Sequence, residues 1–322
     1  MKPRLWLILS GLCALAALAG LSAGGFPAGA LLQGDETARL ILLELRLPRV
    51  VLGFVVGAAL ALSGAALQGY FRNPLADPGI IGLSASAGLG AVAALYFGLT
   101  ALSALVLPAL AIAGAGIGAV LMLLIAGRRA TATTLILSGV AIGAMANALV
   151  ALAMNFSSNP WALSEIAYWL MGSLRNTSWT DVQIALPLAL TGGALILTTG
   201  RALDGMALGE EGARAIGVDL RGLQIRLVLG TALAVGASVA VAGAIGFVGL
   251  VVPHLLRRYV DAQPAELLLP SALGGGALLM LADAATRQIS GEGVPLYLGV
   301  MTALIGVPFF FQLIRSAGRQ AP

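Results

Sequence analysis

The chain has 322 residues, of which 59% are hydrophobic and only 10% charged, with a mean hydropathy of +0.98. Apolar runs recur along its whole length, which excludes a separate soluble domain, and a net charge of +4 does not point to nucleic acid. Cys13, His254 and Lys2 are each the only residue of their type, so an intrachain disulfide, a Cys/His metal cluster and a phosphate-binding P-loop with its lysine are all excluded.

A membrane span needs about 20 mostly apolar residues. Ten such runs follow one another, at about 5–24, 47–70, 84–98, 103–126, 134–154, 180–200, 223–244, 246–260, 267–288 and 296–314. The pattern predicts an all-α polytopic transmembrane helical bundle of about ten spans, forming one domain over residues 1–322. Aromatic residues make up only 6%, which argues against a transmembrane β-barrel with its aromatic girdles. The first run lies between Lys2 and Arg4 on one side and Ser22-Ala23-Gly24 on the other, as in a signal peptide. Leu5 to Leu21 is longer than a usual signal core, so a retained span is expected. The third and eighth runs are short for a full crossing and are expected to be tilted, broken or re-entrant, which backbone tolerates where protein buries it.

Between the runs lie the segments that carry information. Gly53 and Gly57, Gly114 and Gly118, and Gly139 and Gly143 are four apart, a spacing that lets membrane helices approach closely. Arg72-Asn73-Pro74-Leu75-Ala76-Asp77-Pro78-Gly79 cannot continue a helix, and fits either a tight cytoplasmic turn or a constriction at the mouth of a pathway. Within Asn155 to Asp181, Ser164 to Gly172 reads as a short amphipathic helix, with Trp161 and Trp179 as interfacial anchors.

The densest charge lies in Arg201 to Arg226, with Arg201, Asp204, Glu210, Glu211, Arg214, Asp219, Arg221 and Arg226. A central charge costs roughly 2.5–3.5 kcal/mol on membrane-insertion scales, so this segment must lie in water. Leu208 to Gly217 reads as a short helix between glycines, with acids at its start and Arg214 near its end, matching the helix dipole. Ala207, Leu208, Ala215 and Ile216 would form an apolar face that a solvated loop does not need, which suits a groove on a partner. His254 has no second ligand nearby and is expected to make a structural hydrogen bond, and Asp283 and Arg287 are spaced for an ion pair.

Basic residues set the orientation. With the N-terminus inside, Lys2, Arg4, Arg72, Arg128, Arg129, Arg201, Arg214, Arg221, Arg226, Arg257, Arg258, Arg315 and Arg319 face the cytoplasm. Those are 13 of the 18 basic residues, leaving Arg39, Arg46, Arg49, Arg175 and Arg287 outside. The bias satisfies the positive-inside rule and puts both termini in the cytoplasm.

These motifs, in this order, resemble the FecCD family of ABC importer permeases, which serve ferric siderophores, haem and cobalamin. The matching residues are Arg46-Leu47-Pro48-Arg49, Gly57 to Gly64, Arg72 to Gly79, Trp169 to Leu174, the Leu208–Gly217 helix, Ala242 to His254 and Thr302 to Phe310. The resemblance implies a cobalamin-permease-like bundle that pairs with a second copy of itself. It also implies two cytoplasmic ABC ATPase subunits and a periplasmic or lipoprotein substrate-binding protein. By the same resemblance the helix contacting the ATPase carries Leu208, Gly209, Glu210, Glu211, Arg214, Ile216 and Gly217, within a coupling segment of about 201–222. The gate corresponds to Asn73, Pro74 and Leu75, with a second layer where the related cobalamin permease has two hydroxyl residues; here Ala132-Thr133 leaves Thr133 alone. Arg46, Arg49 and Arg287 match permease arginines that meet acids of the binding protein. One departure stands before the last span, where Pro295-Leu296-Tyr297-Leu298-Gly299 replaces the usual Glu-Leu-Pro-Val-Gly and Glu292 is displaced upstream.

The expected protein is therefore the permease subunit of a metal-chelate importer of a bacterial inner membrane, carrying a ferric siderophore or haem, with cobalamin as the alternative. It would hold no catalytic residue, metal or cofactor of its own, ATP and Mg being held by the partner ATPase. An ion-coupled secondary transporter would instead need a buried ionisable relay, for which Asp283 is the best candidate. An intramembrane enzyme would need a constellation that one histidine and one cysteine supply poorly.

Overall fold

The computed structural model describes residues 3–25, 29, 33–127, 130–157, 159–260, 263–291 and 293–318, with backbone only at 3, 312–314 and 316–318. Lys2, Arg128, Arg129, Arg319 and Glu292 lie outside the described residues. In chain order the helices are α1 (Pro3–Ser22), α2 (Glu36–Phe71), α3 (Leu83–Tyr96), α4 (Val106–Ala126), α5 (Ala132–Asn155), α6 (Pro160–Leu170) and α7 (Trp179–Leu197). They continue as α8 (Gly200–Met206), α9 (Gly209–Ala215), α10 (Leu220–Ala242), α11 (Val248–Arg257), α12 (Pro264–Ser290) and α13 (Leu298–Gly318). No strand occurs among the described residues.

All ten apolar runs became helices. Seven are long and apolar enough to cross a membrane, and α3, α11 and the Leu298–Phe311 part of α13 are shorter apolar helices. The two segments expected to be short are so, with 14 residues in α3 and 10 in α11. The second span begins earlier than its apolar run suggests. Asp35 caps it by accepting the Thr37 N–H at 2.9 Å. A π turn over Ile41–Arg46 then carries the helix into Pro48, whose ring would clash with a regular i−4 carbonyl.

Burial divides the helices into two classes. In α2, α10 and α12, 83%, 72% and 61% of the most apolar stretch is buried, against 22–28% in α1, α4, α5 and α7. The central helices meet through glycine: a Cβ on Gly57 would strike the Gly275 carbonyl of α12, and one on Gly64 the Gly249 carbonyl of α11. Of the glycines spaced four apart, Gly57, Gly114, Gly139 and Gly143 meet neighbouring backbone while Gly53 and Gly118 face side chains, and such close approach in lipid replaces the hydrophobic drive between helices. The first span is part of this packing, since α1 lies on α12 and the Cys13 thiol approaches the Leu273 carbonyl at 3.4 Å. By contrast α5 packs on α3 and α4 and only touches α2.

At the opposite end from the charged segment, three irregular stretches satisfy one another. Ser173 N–H donates to Ala242 O at 2.8 Å, Leu298 N–H to Gly172 O at 3.0 Å and Gly299 N–H to Met171 O at 3.1 Å. The short α11 follows directly, starting after Phe247 in the left-handed region at φ 68°. Backbone freed from helix is therefore paired within the protein, as the low-dielectric surroundings demand.

Candidate functional site

The segment from α8 to the start of α10 gathers the ends of several helices. α9 is shorter than the expected Leu208–Gly217 helix, because Gly209 and Gly217 adopt φ 87° and 84° and bound it. Its flanks are the exposed apolar residues expected from the sequence. Leu208 is 66% and Ile216 60% exposed, and Ala207 and Ala215 are exposed as well, while Ala213 is the buried residue that fixes the helix to the bundle. The charges behave differently from one another. Glu211 is exposed, but Glu210 turns inward, accepts the Ala132 N–H of α5 at 2.7 Å and lies 3.5 Å from Arg214.

Beside it lies the Arg72–Gly79 loop. Arg72 ends α2 in the left-handed region at φ 49°, and its guanidinium lies over Gly209. Two Asx turns build the loop: Asn73 Oδ1 accepts the Leu75 N–H at 2.9 Å, and Asp77 Oδ1 the Gly79 N–H at 2.8 Å. Asn73 is exposed, and Pro74 and Leu75 are half-buried. The Asp77 carboxyl sits against Gly249 of α11, and burial pushes its pKa up to about 6 despite the Gly79 N–H that favours the charged form. Thr133 belongs to a second element, exposed in the first turn of α5, where Thr131 and Thr134 close a capping box. A polar chain ties the two: Gln224 Nε2 donates to Tyr70 Oη at 2.7 Å and to Ala130 O at 2.8 Å.

The three arginines read as docking residues share one pocket at the other end, a cationic cavity of about 420 Å³ that Arg175, Asp283 and Tyr297 also line. Their local engagement is heavier than spacing indicated. Arg49 grips Asp283 with two nitrogens, Nε to Oδ2 at 2.9 Å and Nη2 to Oδ1 at 2.8 Å. Arg287 Nε lies 3.3 Å from Asp283 Oδ2, the expected i,i+4 pair, and Nη2 donates to Gly20 O at 2.5 Å. Arg46 donates to Leu21 O and Ala23 O, each at 2.6 Å. Two of the arginines thus hold down the end of α1, and the dominant partner of Asp283 is Arg49, 234 positions away.

Several polar contacts escaped sequence reasoning because their partners are remote. Asp204 Oδ1 accepts the Ala265 N–H of α12 at 2.9 Å, Arg221 donates to Gly127 O at 3.0 Å, and Arg257 donates to Gln68 Oε1 at 2.9 Å. His254 departs from expectation: it meets Phe309 edge-on at 5.5 Å, and its Nδ1 has no hydrogen-bond partner. The α11 helix puts the ring against α13 rather than against a polar group. Trp179 is anchored as well as interfacial, its Nε1 donating to Leu43 O at 3.0 Å. In the segment before the last helix that departs from the family pattern, Tyr297 stacks on Tyr168 at 5.9 Å and 7°. Among the described residues no group of three potential metal ligands occurs.

Comparison with known proteins gives a consistent picture. The model of the FecCD transport family matches residues 6–316. The cobalamin import system permease protein BtuC of Halobacterium salinarum is 44% identical over 284 residues, 87% of this chain and 75% of that protein. The vitamin B12 import system permease protein BtuC of Escherichia coli is 41% identical over 319 residues, 98% of this chain and 96% of that one. The hemin transport system permease protein HmuU of Yersinia pestis is 40% identical, covering 85% and 83%. A solved ABC transporter described as of the metal-chelate type, in an inward-facing conformation, superposes with a TM-score of 0.86 at 32% identity over 97% of this chain and 99% of that one.

Proposed function

We propose a function on the premise that follows from these similarities: the chain belongs to the FecCD transport family and is a multi-pass membrane protein. It is the permease subunit of an ATP-driven importer, a single transmembrane domain that pairs with a second copy of itself. Two ABC ATPase subunits dock on its cytoplasmic face and hydrolyse ATP with Mg, and a periplasmic or lipoprotein binding protein delivers cargo outside. The membrane is a bacterial inner membrane, with both termini and the α8–α10 segment in the cytoplasm, as the arginine distribution favours.

One observation carries this reading: α9 is flanked by the exposed apolar residues Leu208 and Ile216 beside the charged side chains of Glu211 and Arg214, while Ala213 and Glu210 face the bundle. An apolar pair of that kind fits a helix-in-groove contact. In this scheme Asn73, Pro74, Leu75 and Thr133 form the cytoplasmic gate. Arg46, Arg49 and Arg287 frame the cationic pocket that meets acidic residues of the binding protein. Alternating access then follows from docking and nucleotide binding, which bias two packings of the dimer.

The cargo is a large metal chelate. Cobalamin and hemin, named in the relatives, are both metal-bearing tetrapyrroles and are supported equally, with a ferric siderophore as a further chelate of the same class. An ion-coupled mechanism is disfavoured because Asp283, its best relay candidate, is held by two arginines. The deciding experiment is uptake into proteoliposomes holding the permease with its binding protein, with and without the partner ATPase. Uptake of radiolabelled hemin or cyanocobalamin should require the ATPase and ATP and ignore ion gradients. Uptake driven by a proton or sodium gradient without the ATPase would overturn the assignment.

A further inference from the structure

We propose that Glu210 is a positioning residue that transmits motion of the docking helix α9 to α5, which carries the gate residue Thr133; this rests on the docking role given to α9 above. Four of the eight charges between residues 201 and 226 are spent on the ends of other helices. Glu210 Oε1 takes the Ala132 N–H at the start of α5 at 2.7 Å, and Asp204 Oδ1 takes the Ala265 N–H at the start of α12 at 2.9 Å. Arg221 reaches Gly127 O just past α4 at 3.0 Å, and Arg226 reaches Thr198 O just past α7 at 3.3 Å. Acids sit on N-termini and arginines on C-termini, the sense that helix dipoles favour.

The two acidic grips have unequal consequences. Asp204 holds α12, a central helix with 61% of its apolar stretch buried and glycine contacts to α2. Glu210 holds α5, with 28% buried and neighbours mainly in α3 and α4. A load applied to the segment between them therefore displaces α5 against a fixed α12. The attachment of α5 is specific. Its capping box already satisfies the Thr134 and Thr131 N–H groups, leaving the Ala132 N–H to Glu210, whose side chain is only 17% exposed. Gln224 holds the preceding residue pair at Ala130 O, so the entry to α5 is gripped from both the docking helix and α10. Glu210 lies within the seven-residue helix that Leu208 and Ile216 directly flank as its N-cap and C-cap residues.

The test uses the complex reconstituted with its ATPase and binding protein. Glu210→Ala removes the acceptor; Ala132→Pro removes the donor at a helix position that tolerates proline, after a Thr131 already extended at φ −90° and ψ 166°. Glu210→Gln keeps an acceptor oxygen at the same reach. Cargo moved per ATP hydrolysed should fall about tenfold in both deletions, the size of a typical coupling between sites, and recover in the glutamine variant. Spin labels at Glu211→Cys and Leu137→Cys with Cys13→Ala, carried by one protomer of a dimer whose other protomer has no cysteine, should give one narrow distance in wild-type background with and without ATP. Both deletions should broaden it. Wild-type coupling with a narrow distance in either Glu210→Ala or Ala132→Pro would overturn the proposal, and if one variant fails to assemble the other decides. Leu208→Asp separates the underlying reading: if that variant still binds the ATPase and transports, the docking role of α9 is what fails.

Discussion

Loss of the apolar flanks of α9 should weaken ATPase docking by an amount that follows from their exposure. Leu208 and Ile216 are 66% and 60% exposed, so most of each side chain is still available for burial. Full burial of a Leu or Ile side chain contributes about 1.5–3 kcal/mol, so about 1–2 kcal/mol remains to be gained at each position. Truncation in Leu208→Ala or Ile216→Ala forfeits most of that, which is roughly a tenfold weaker complex per site. Leu208→Asp or Ile216→Asp adds the desolvation of a carboxylate, a penalty of several kcal/mol, and should abolish binding at micromolar ATPase. Because these side chains touch little of their own chain, permease stability should stay within about 0.5 kcal/mol of wild type. The assay is titration of nucleotide-free ATPase onto nanodisc-embedded permease, with thermal unfolding of the permease alone as control. Dissociation constants within about twofold of wild type for both aspartate variants would refute the docking argument.

The Asp77 carboxyl, raised from its usual 3.8 to about 6 in the folded chain, should make stability pH-dependent. The folded state holds the extra proton, so this contribution is complete below pH 3.8 and is lost as pH rises through 6; Asp77→Asn should flatten that part of a thermal-unfolding profile. Removing the acid from the arginine cluster in Asp283→Asn leaves Arg49 and Arg287 uncompensated where their side chains are 15% exposed, and should destabilise the chain by about 3 kcal/mol or more, read as a fall in unfolding temperature. The double variant Arg46→Glu, Arg49→Glu should weaken binding-protein docking, and the wild-type complex should loosen as salt rises. Docking is measured by surface binding to nanodiscs, on protein whose folding has been checked, and an unchanged dissociation constant would leave these arginines with a structural role within the chain.

Run length and charge made the bundle legible. Each of the ten helices answers to an apolar run, because a span declares itself locally through about 20 apolar residues. The weakness of the third and eighth runs was real, and the apolar flanks of the charged segment were readable from Leu208 and Ile216 between glycines. What remained hidden was which ends meet. Asp283 and Arg287 advertised themselves at i,i+4, yet the tighter bond goes to Arg49, and no local pattern can report a partner 234 residues away. Glu210 was visible as a charge on a docking helix, but its inward turn toward Ala132 depends on α5 arriving beside it. The extension of the second span back to Glu36 was masked by polar residues that a capping aspartate and a π turn make compatible with helix.

The junction among Gly172, Ala242 and Gly299 bears on how the chain is made. Until residues 298 and 299 emerge from the ribosome, the carbonyls of Met171 and Gly172 lack the N–H groups that they accept in the finished protein. Exposed carbonyls of that kind are costly in a low-dielectric setting. This junction is therefore completed only once α13 has been made, and a chain stalled short of α13 leaves these carbonyls without their partners.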